Sequence, residues 1–346
     1  MATMKRIAEK AGVSLASVSH VVNGTKKLSP ATTERVNAAI RELDYHPRRP
    51  THARVAAHVK TIGVLVEDIQ SFPIPDMLCG IAEAIEPFKY QMLMYDLHLL
   101  DKLYNQYDLI GAYRDRINQG ISLLMDSGAD GVIYAAMHDR HLDGLIDAAS
   151  RPLVYAYSLG TSQDSYVTYA NKESASDVVR HLISKGHRRI AVIAGHPHSF
   201  PAMKRLSGFQ IAMQEAGLTI PEGYLVYGDW AYDSGYAKMK ELLRLPERPT
   251  AVFAMNDFMA AGCIHAILDS GLKVPEDISV AGFDNREACH YLLPPLTTVE
   301  LPVKDIGRSA ARMLIDLIRN PAAVPRQEIL PCRLIERGSV GEWRQK

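Results

Sequence analysis

From residue 61 onward the chain alternates short apolar runs with segments of helical periodicity, and this alternation limits the folds that it can adopt. The apolar runs occupy residues 61–66, 130–134 and 152–157, and the pattern restarts with 189–194, 251–255 and 278–283. Strands that are buried on both faces and separated by helices form parallel sheets. The restart near residue 163 predicts two similar α/β lobes, in which the carboxyl ends of the strands face one cleft.

We therefore predict that residues 61–346 form a two-lobed body with parallel sheets. The N-lobe is expected to contain about 61–161 and 292–325. The C-lobe is expected to contain about 162–291 and 326–346.

The first 46 residues have a different pattern, which predicts three short helices around a small core of Ala, Val and Ile. Ser14 can cap the second helix, and Ser29 followed by Pro30 can cap the third. Gly12 ends the first helix and permits a tight turn. Residues 1–46 are therefore predicted to form a helix-turn-helix headpiece, and 47–60 a hinge or linker.

The charge of the chain is distributed unevenly between these two parts. In total, 39 Lys and Arg balance 39 Asp and Glu. Residues 1–60 contain eleven Lys or Arg and four Asp or Glu, a net charge of +7, which leaves −7 on the other 286 residues. A basic head on an acidic body indicates that the head binds a polyanion such as nucleic acid.

The second predicted helix has a solvent face that suits the major groove of double-stranded DNA. Small and polar side chains let the backbone approach base edges, and a histidine can donate or accept a hydrogen bond at a purine. The residues on this face are Leu15, Ala16, Ser17, Ser19 and His20. Asn23 and Lys26 at the end of the helix suit phosphate contacts. A homodimer is expected, because a two-fold protein reads a palindromic operator.

Several polar and aromatic residues follow the predicted strands of the body, where a ligand of a two-lobed fold would bind. A planar ring can cover the apolar face of a sugar, while charged groups bind its hydroxyls. The candidate effector-binding residues are Asp68, Phe72, Tyr157, Arg205, Trp230, Asn256 and Asp284.

The four cysteines are far apart and the N-terminus lacks an apolar signal segment, so we expect a cytoplasmic protein. The chain has no run of 18 apolar residues, and no membrane association is expected.

Two sets of sequence motifs closely resemble the lactose-repressor/galactose-repressor family of bacterial transcription regulators. In the head these are AEKAGVSLASVSHVVNG and SPATTERVNAAIRELDYHP. In the body they are KGHRRIAVIAG, RLSGF, GDW, AVFAMND, ISVAGFDN and PPLTTVELP. The resemblance implies a ligand-responsive repressor of carbohydrate-utilisation genes, with an effector in the interlobe cleft. It also places Arg205, Trp230, Asn256 and Asp284 at effector-contacting positions.

The chain departs from the family pattern at several positions. His20 replaces an Arg, and Tyr157 replaces the Asp of many sugar-binding members, which leaves a glycoside, an oligosaccharide or a nucleoside-like ligand as alternatives.

In the hinge, Arg54 stands where family members insert a Leu into the minor groove. Arg54 could bind a narrow groove electrostatically, or Val55 could act as a smaller wedge, or the hinge could be a flexible tether. Residues 97–120 contain about ten extra residues, which we expect to form a surface segment near the cleft.

Two other functional classes would require features that this sequence does not show. A solute-binding protein would need an export signal and no basic head. An α/β enzyme acting on a sugar would need a catalytic pair in the cleft. Asp68 and Asp284 could be offered, but nothing in their spacing supports acid/base catalysis over hydrogen bonding. The pairs His138/His141 and His196/His198 lack a further ligand for a metal, and no cofactor motif is present, so neither metal nor cofactor is expected.

Overall fold

The computed structural model describes residues 4–23, 28–43, 59–103, 106–147 and 152–343. The chain divides into two compact units, Met1–Val59 and Lys60–Lys346. The predicted fold class is confirmed: a helical head precedes an α/β body with parallel sheets. Within the described part of the chain, none of the helices has the length and apolar character that crossing a bilayer requires.

In the described residues of the head, the helices are α1 (Met4–Ala11), α2 (Leu15–Asn23) and α3 (Pro30–Glu42). Gly12 adopts a left-handed φ of 60° at the turn between α1 and α2, where a side chain would add strain. Ser14 caps α2, since its Oγ accepts a hydrogen bond from the backbone N–H of Ser17 at 3.1 Å. Ser29 caps α3 in the same way. The buried core comprises Ile7, Ala8, Ala11, Val18, Val36 and Ala39.

The body contains two parallel sheets and one short antiparallel pair. The strands are β1 (Thr61–Val66), β2 (Gln91–Asp96), β3 (Gly131–Ala135), β4 (Leu153–Ala156), β5 (Ser165–Tyr169), β6 (Ile190–Ala194), β7 (Leu225–Tyr227), β8 (Ala251–Ala254), β9 (Ser279–Ala281), β10 (Thr298–Glu300), β11 (Gln327–Leu330) and β12 (Arg333–Ile335). The N-lobe sheet has the order β11-β5-β4-β3-β1-β2, the C-lobe sheet has β7-β6-β8-β9, and β10 pairs with β12.

Helices connect these strands and cover the sheets. They are α4 (Ile74–Ile85), α5 (Leu100–Leu103), α6 (Arg114–Asp126), α7 (Asn171–Ser184), α8 (Phe200–Glu215), α9 (Tyr232–Leu243), α10 (Asp257–Leu268) and α11 (Val303–Arg319), with 3₁₀ turns at Glu86–Phe88, Tyr107–Tyr113 and Glu287–His290. Helix α11 packs against α4 and against β3, β4 and β5, so it belongs to the N-lobe.

The predicted lobe boundaries at residues 162 and 326 come too early. Strands β5 and β11 both lie in the N-lobe sheet, where Gln327 pairs with Tyr166 in parallel register. The polar run before β5 resembles a linker but forms a turn, in which the Asp164 carboxylate accepts the backbone N–H of Thr161 at 2.7 Å. The chain therefore crosses between the lobes after β5, between β9 and α11, and between β11 and β12.

Residues 97–120 are not simply a surface segment. The described residues form α5, a 3₁₀ turn and the first half of α6. Leu97, Leu99 and Leu103 are buried beneath the N-lobe sheet, together with Ile110 and Ile117. The leucines at the start of the segment supply this second layer of the core. Leu100 also lines the interlobe cavity, so the segment does reach the cleft.

Candidate functional site

A cavity of about 630 Å³ lies between the two lobes of the body. Its volume falls within the range of small-molecule sites. Six of the seven predicted effector-binding residues line it: Phe72, Tyr157, Arg205, Trp230, Asn256 and Asp284. Phe72 and Tyr157 come from the N-lobe, whereas the other four come from the C-lobe, so a ligand here would contact both.

Asp68 does not line the cavity. It is buried, and its two carboxylate oxygens accept the backbone N–H groups of Gln70 and Leu100, each at 3.0 Å. Both of these residues do line the cavity. Asp68 therefore positions two segments of the cavity wall, and each of its carboxylate oxygens already accepts a hydrogen bond from the backbone.

Arg205 on α8 is buried and held by hydrogen bonds from each of its three side-chain nitrogens. Nε donates to Asn171 Oδ1 at 2.8 Å, Nη2 donates to Tyr169 Oη at 3.1 Å, and Nη1 donates to the carbonyl of Met255. Its guanidinium also lies 3.7 Å from the centre of the Phe283 ring. These contacts hold the planar guanidinium group in one orientation, which suits it to recognise a polar ligand.

A buried hydrogen-bond network extends from Arg205 into the N-lobe. Asn171 donates from Nδ2 to Asp139 at 2.6 Å, and Thr168 donates to the same carboxyl group at 3.0 Å. Burial raises the pKa of Asp139 to about 7, although these hydrogen bonds oppose the shift. Because Asn171 follows the crossing after β5, the network links the arginine to the point where the lobes join.

Asp284 lies between two arginines. Its carboxylate oxygens are 3.6 Å from Arg205 Nη1 and 3.6 Å from Arg286 Nε. Burial raises the pKa of Asp284, and the two arginines oppose this shift. The neighbouring Asp257 accepts the backbone N–H of Arg286 at 2.7 Å and has its pKa raised to about 7 by burial and by the charge of Asp284.

Trp230 depends on two neighbours for its position. Asn256 donates from Nδ2 to the carbonyl of Trp230 at 2.8 Å, and its Oδ1 caps α10 by accepting the N–H of Met259 at 2.9 Å. Gly195 leaves room for the indole, since a Cβ there would lie 2.0 Å from Cζ2. The indole Nε1 is buried and has no hydrogen-bond acceptor among the described residues, so a ligand oxygen could serve as its acceptor.

Three residues of the cavity wall have left-handed backbone. The φ angles are 64° at Tyr157, 75° at Trp230 and 117° at Asp284. Such conformations cost a non-glycine residue roughly 1–3 kcal/mol and cluster at functional sites. No sequence motif encodes this strain, but it supports the assignment of the cavity as the site.

The structure adds wall residues that the sequence interpretation missed. Tyr169 packs its ring 4.9 Å from that of Tyr157, and His138 lies edge-on to Trp230 at 6.1 Å. Phe258 and Arg286 also line the cavity. Arg286 lies two positions after Asp284 in the chain. This proximity to a predicted effector-binding residue is the one feature of the sequence that could have indicated it.

The rings of His138 and His141 contact a hydroxyl group and an aromatic ring. His138 Nε2 lies 2.9 Å from Ser199 Oγ, and the ring of His141 lies 5.0 Å from that of Phe200. Among the described residues, the one group of three potential ligands is Asp68, Asp96 and His98, which includes none of the histidine pairs considered as metal ligands.

In the head, the predicted base-reading residues occupy the first two turns of α2. Leu15 and Ala16 are exposed, whereas Ser17, Ser19 and His20 are partly exposed. Asn23 is the last residue of the helix. Lys26, Arg54 and Val55 lie outside the described residues.

Two family models match the chain. The model "Bacterial regulatory proteins, lacI family" matches residues 3–48, and "Periplasmic binding protein-like domain" matches residues 179–340. The ribose operon repressor of Escherichia coli (strain K12) is 34% identical over 343 residues, which cover 98% of this chain and 100% of that protein.

Two solved structures are similar over almost the whole chain. The transcriptional regulator CelR in complex with cellobiose has a TM-score of 0.67 and 31% identity, and the match covers 98% of this chain and 100% of CelR. The lac repressor dimer bound to operator and the anti-inducer ONPF has a TM-score of 0.67 and 25% identity, and covers 98% and 99%.

Proposed function

Because this chain belongs to the lacI family of bacterial regulatory proteins, we propose that its interlobe cavity binds a sugar effector that controls operator binding by the head. The chain is a DNA-binding transcriptional regulator rather than an enzyme. We place its action in the cytoplasm, where operator DNA is found.

The observation that carries the proposal is the composition of the cavity wall. Trp230 offers an aromatic face and an unpartnered indole N–H, while Arg205 and Asp284 offer fixed charged groups for hydroxyls. Tyr157 adds a second aromatic surface. Two aromatic surfaces in about 630 Å³ suit a glycoside or an oligosaccharide, and a relative of this chain binds the disaccharide cellobiose.

The head is proposed to bind a palindromic operator as part of a homodimer, as the lac repressor dimer does. In this arrangement Leu15, Ala16, Ser17, Ser19 and His20 contact base edges, and Asn23 and Lys26 contact phosphates. The hinge is proposed to contact the minor groove through Arg54 or Val55.

Effector binding would regulate the head through the relative position of the lobes. A ligand that contacts Phe72 and Tyr157 on one lobe and Arg205 and Trp230 on the other favours the lobe arrangement to which it binds more tightly. The coupling is reciprocal, so operator binding must change effector affinity by the same factor.

The proposal is tested by two substitutions at opposite ends of the molecule. An operator is first selected from a pool of random duplexes, and sugars are screened by thermal shift. Trp230→Ala should abolish the effector response and leave operator affinity intact. His20→Ala should change half-site preference and leave effector binding intact. Loss of both activities in either variant, or turnover of a sugar without DNA binding, would contradict the proposal.

A further inference from the structure

Arg286 differs from the other charged groups of the cavity in how it is held. The charged wall residues are Arg205, Asp284 and Arg286, so the wall carries one more positive than negative charge. His138 does not add to it, because burial lowers its pKa well below the ordinary value. Each nitrogen of the Arg205 side chain already has a protein acceptor. Arg286 differs from Arg205, because its buried Nε has no hydrogen-bond partner among the described residues.

Aromatic rings from both lobes hold the guanidinium of Arg286. Its central carbon lies 4.2 Å from the ring centre of Phe72 on the N-lobe and 4.3 Å from that of Phe258 on α10. These three residues line both the cavity and a neighbouring surface groove, so they mark the mouth of the cavity. Cation–π contacts fix a guanidinium but leave its N–H donors, which lie in the plane of the group, without acceptors.

In the part of the chain that the structure describes, Arg286 Nε is buried and has no acceptor within hydrogen-bond distance. Among the described residues, the one ion pair of Arg286 is the 3.6 Å approach of Nε to Asp284, whose charge Arg205 shares. Asp76 and Glu287 line the outer groove but form no ion pair with it.

We propose that the effector is an acidic sugar and that Arg286 binds its anionic group, a carboxylate or a phosphate, at the mouth of the cavity. A neutral sugar that covered this side chain would remove water from a cation without supplying a counter-charge, which is unfavourable. An anionic oxygen pair accepts two hydrogen bonds from the guanidinium edge instead. The inference rests on the proposed function, because it adds a charge to the sugar that the cavity is proposed to bind.

The test compares acidic sugars with their neutral counterparts on the full chain. The probes are glucuronate, galacturonate and glucose 6-phosphate against glucose and galactose, followed by thermal shift and by tryptophan fluorescence. At least one acid should bind at least about tenfold more tightly than its neutral counterpart. The two uronates and the phosphate separate a carboxylate from a phosphate as the group that is bound.

Two variants assign the preference to Arg286. Arg286→Gln should remove the preference by weakening binding of the acid about tenfold or more, so that the acid binds no more tightly than its neutral counterpart. Arg286→Lys should retain part of the preference, because it keeps the charge and loses the fork. Arg312→Gln on the exposed face of α11 is the matched control and should bind as the wild type does.

Each remaining outcome counts against a distinct claim. Neutral sugars that bind as tightly as acids, or a preference that survives in Arg286→Gln, would overturn the inference and leave the proposed function standing. Binding of none of these probes would overturn the inference, and the absence of any ligand in the wider screen of sugars, glycosides and oligosaccharides would overturn the proposed function as well. An unchanged midpoint of thermal unfolding in the absence of ligand shows that the Arg286→Gln variant is folded.

Discussion

At the scale of single residues, the cavity depends on the close approach of the Trp230 indole to the backbone of Gly195. A Cβ at this position would lie 2.0 Å from one ring atom and 2.3 Å from two others. We predict that Gly195→Ala displaces the indole and weakens effector binding by at least about tenfold, since a 1.4 kcal/mol loss already has that effect. Titration of tryptophan fluorescence with the best sugar from the screen measures this change.

The matched control is Gly111→Ala, because a Cβ there meets nothing within 4 Å. It should leave effector affinity unchanged. Equal affinities for Gly195→Ala and the wild type would show that the indole is not fixed where the ligand binds.

The sequence predicts the parts of the site that follow the ends of strands. Phe72, Tyr157 and Asp284 come soon after β1, β4 and β9, and the direction of parallel strands brings such positions together. His138 and Arg286 could not be ranked in this way, because their importance comes from neighbours on other elements. Asp68 has the expected location in the sequence, but its carboxylate turns toward backbone donors rather than toward the cavity.

At the scale of elements, the start of α2, the helix that is proposed to contact base edges, depends on Ser14. Its hydroxyl satisfies one of the N–H groups that a helix leaves without a partner at its first turn. Replacing such a cap by Ala costs about 1 kcal/mol, which is a large share of the stability of a small unit. Ser14→Ala should therefore accelerate hydrogen exchange across residues 15–23, as measured by mass spectrometry.

Ser14→Thr should restore most of the protection, because it keeps the capping oxygen. Equal exchange in Ser14→Ala and the wild type would show that packing against α1 and α3 is sufficient to hold α2.

A second element-scale prediction concerns His187, which joins α7 to β6 and anchors the C-terminal segment. Its ring nitrogens lie 3.0 Å from Thr250 Oγ1 and 3.0 Å from Ser279 Oγ, and Nε2 is 3.2 Å from the carbonyl of Gly341. Burial lowers the pKa of His187 from 6.5 to about 4. The unfolded chain thus takes up this proton at a higher pH than the folded chain does.

The stability due to neutral His187 is complete above about pH 6.5 and decreases as the pH falls toward 4. His187→Gln should make the free energy of unfolding less dependent on pH in this window, as measured by denaturant titration at several pH values. Exposed His198→Gln is the control. Asp139 and Asp257 act in the opposite direction, because their raised pKa favours the fold at low pH, but they are common to all three proteins. An unchanged pH dependence in His187→Gln would contradict the prediction.

The more completely a strand is buried, the more readily the sequence predicts it. β1, β3, β6 and β8 are buried along nearly their whole length and give continuous apolar runs. β2 is an edge strand whose first two residues are exposed, so its run is not continuous. A strand of three residues is too short to show a recognisable hydrophobic pattern in the sequence. The strands near the lobe crossings pair with strands more than 30 residues away, so their local sequence does not reveal them.

At the scale of the whole molecule, the zero net charge is the sum of two opposite parts. The head and linker carry +7 over 60 residues, and the body carries −7. Phosphates attract the first part and repel the second, so we expect contact with DNA through the head and linker rather than through the body. The division also separates the two proposed binding sites, since the head and the interlobe cavity belong to different units of the chain.

This distribution leads to a prediction about salt. Binding of DNA by a cationic surface releases counterions, and a protein with six to ten phosphate contacts loses roughly 10³–10⁵ in affinity between about 50 and 200 mM salt. We expect a loss of roughly a thousandfold for the selected operator over this range, measured by fluorescence anisotropy.

Replacing Lys26 and Lys27 by Gln should lower the slope of log affinity against log salt by about one for each phosphate contact removed. Arg312→Gln on the body removes one positive charge without touching the head and should leave the slope unchanged. A slope that responds equally to head and body substitutions would show that total charge, rather than its division between the two units, governs binding to DNA.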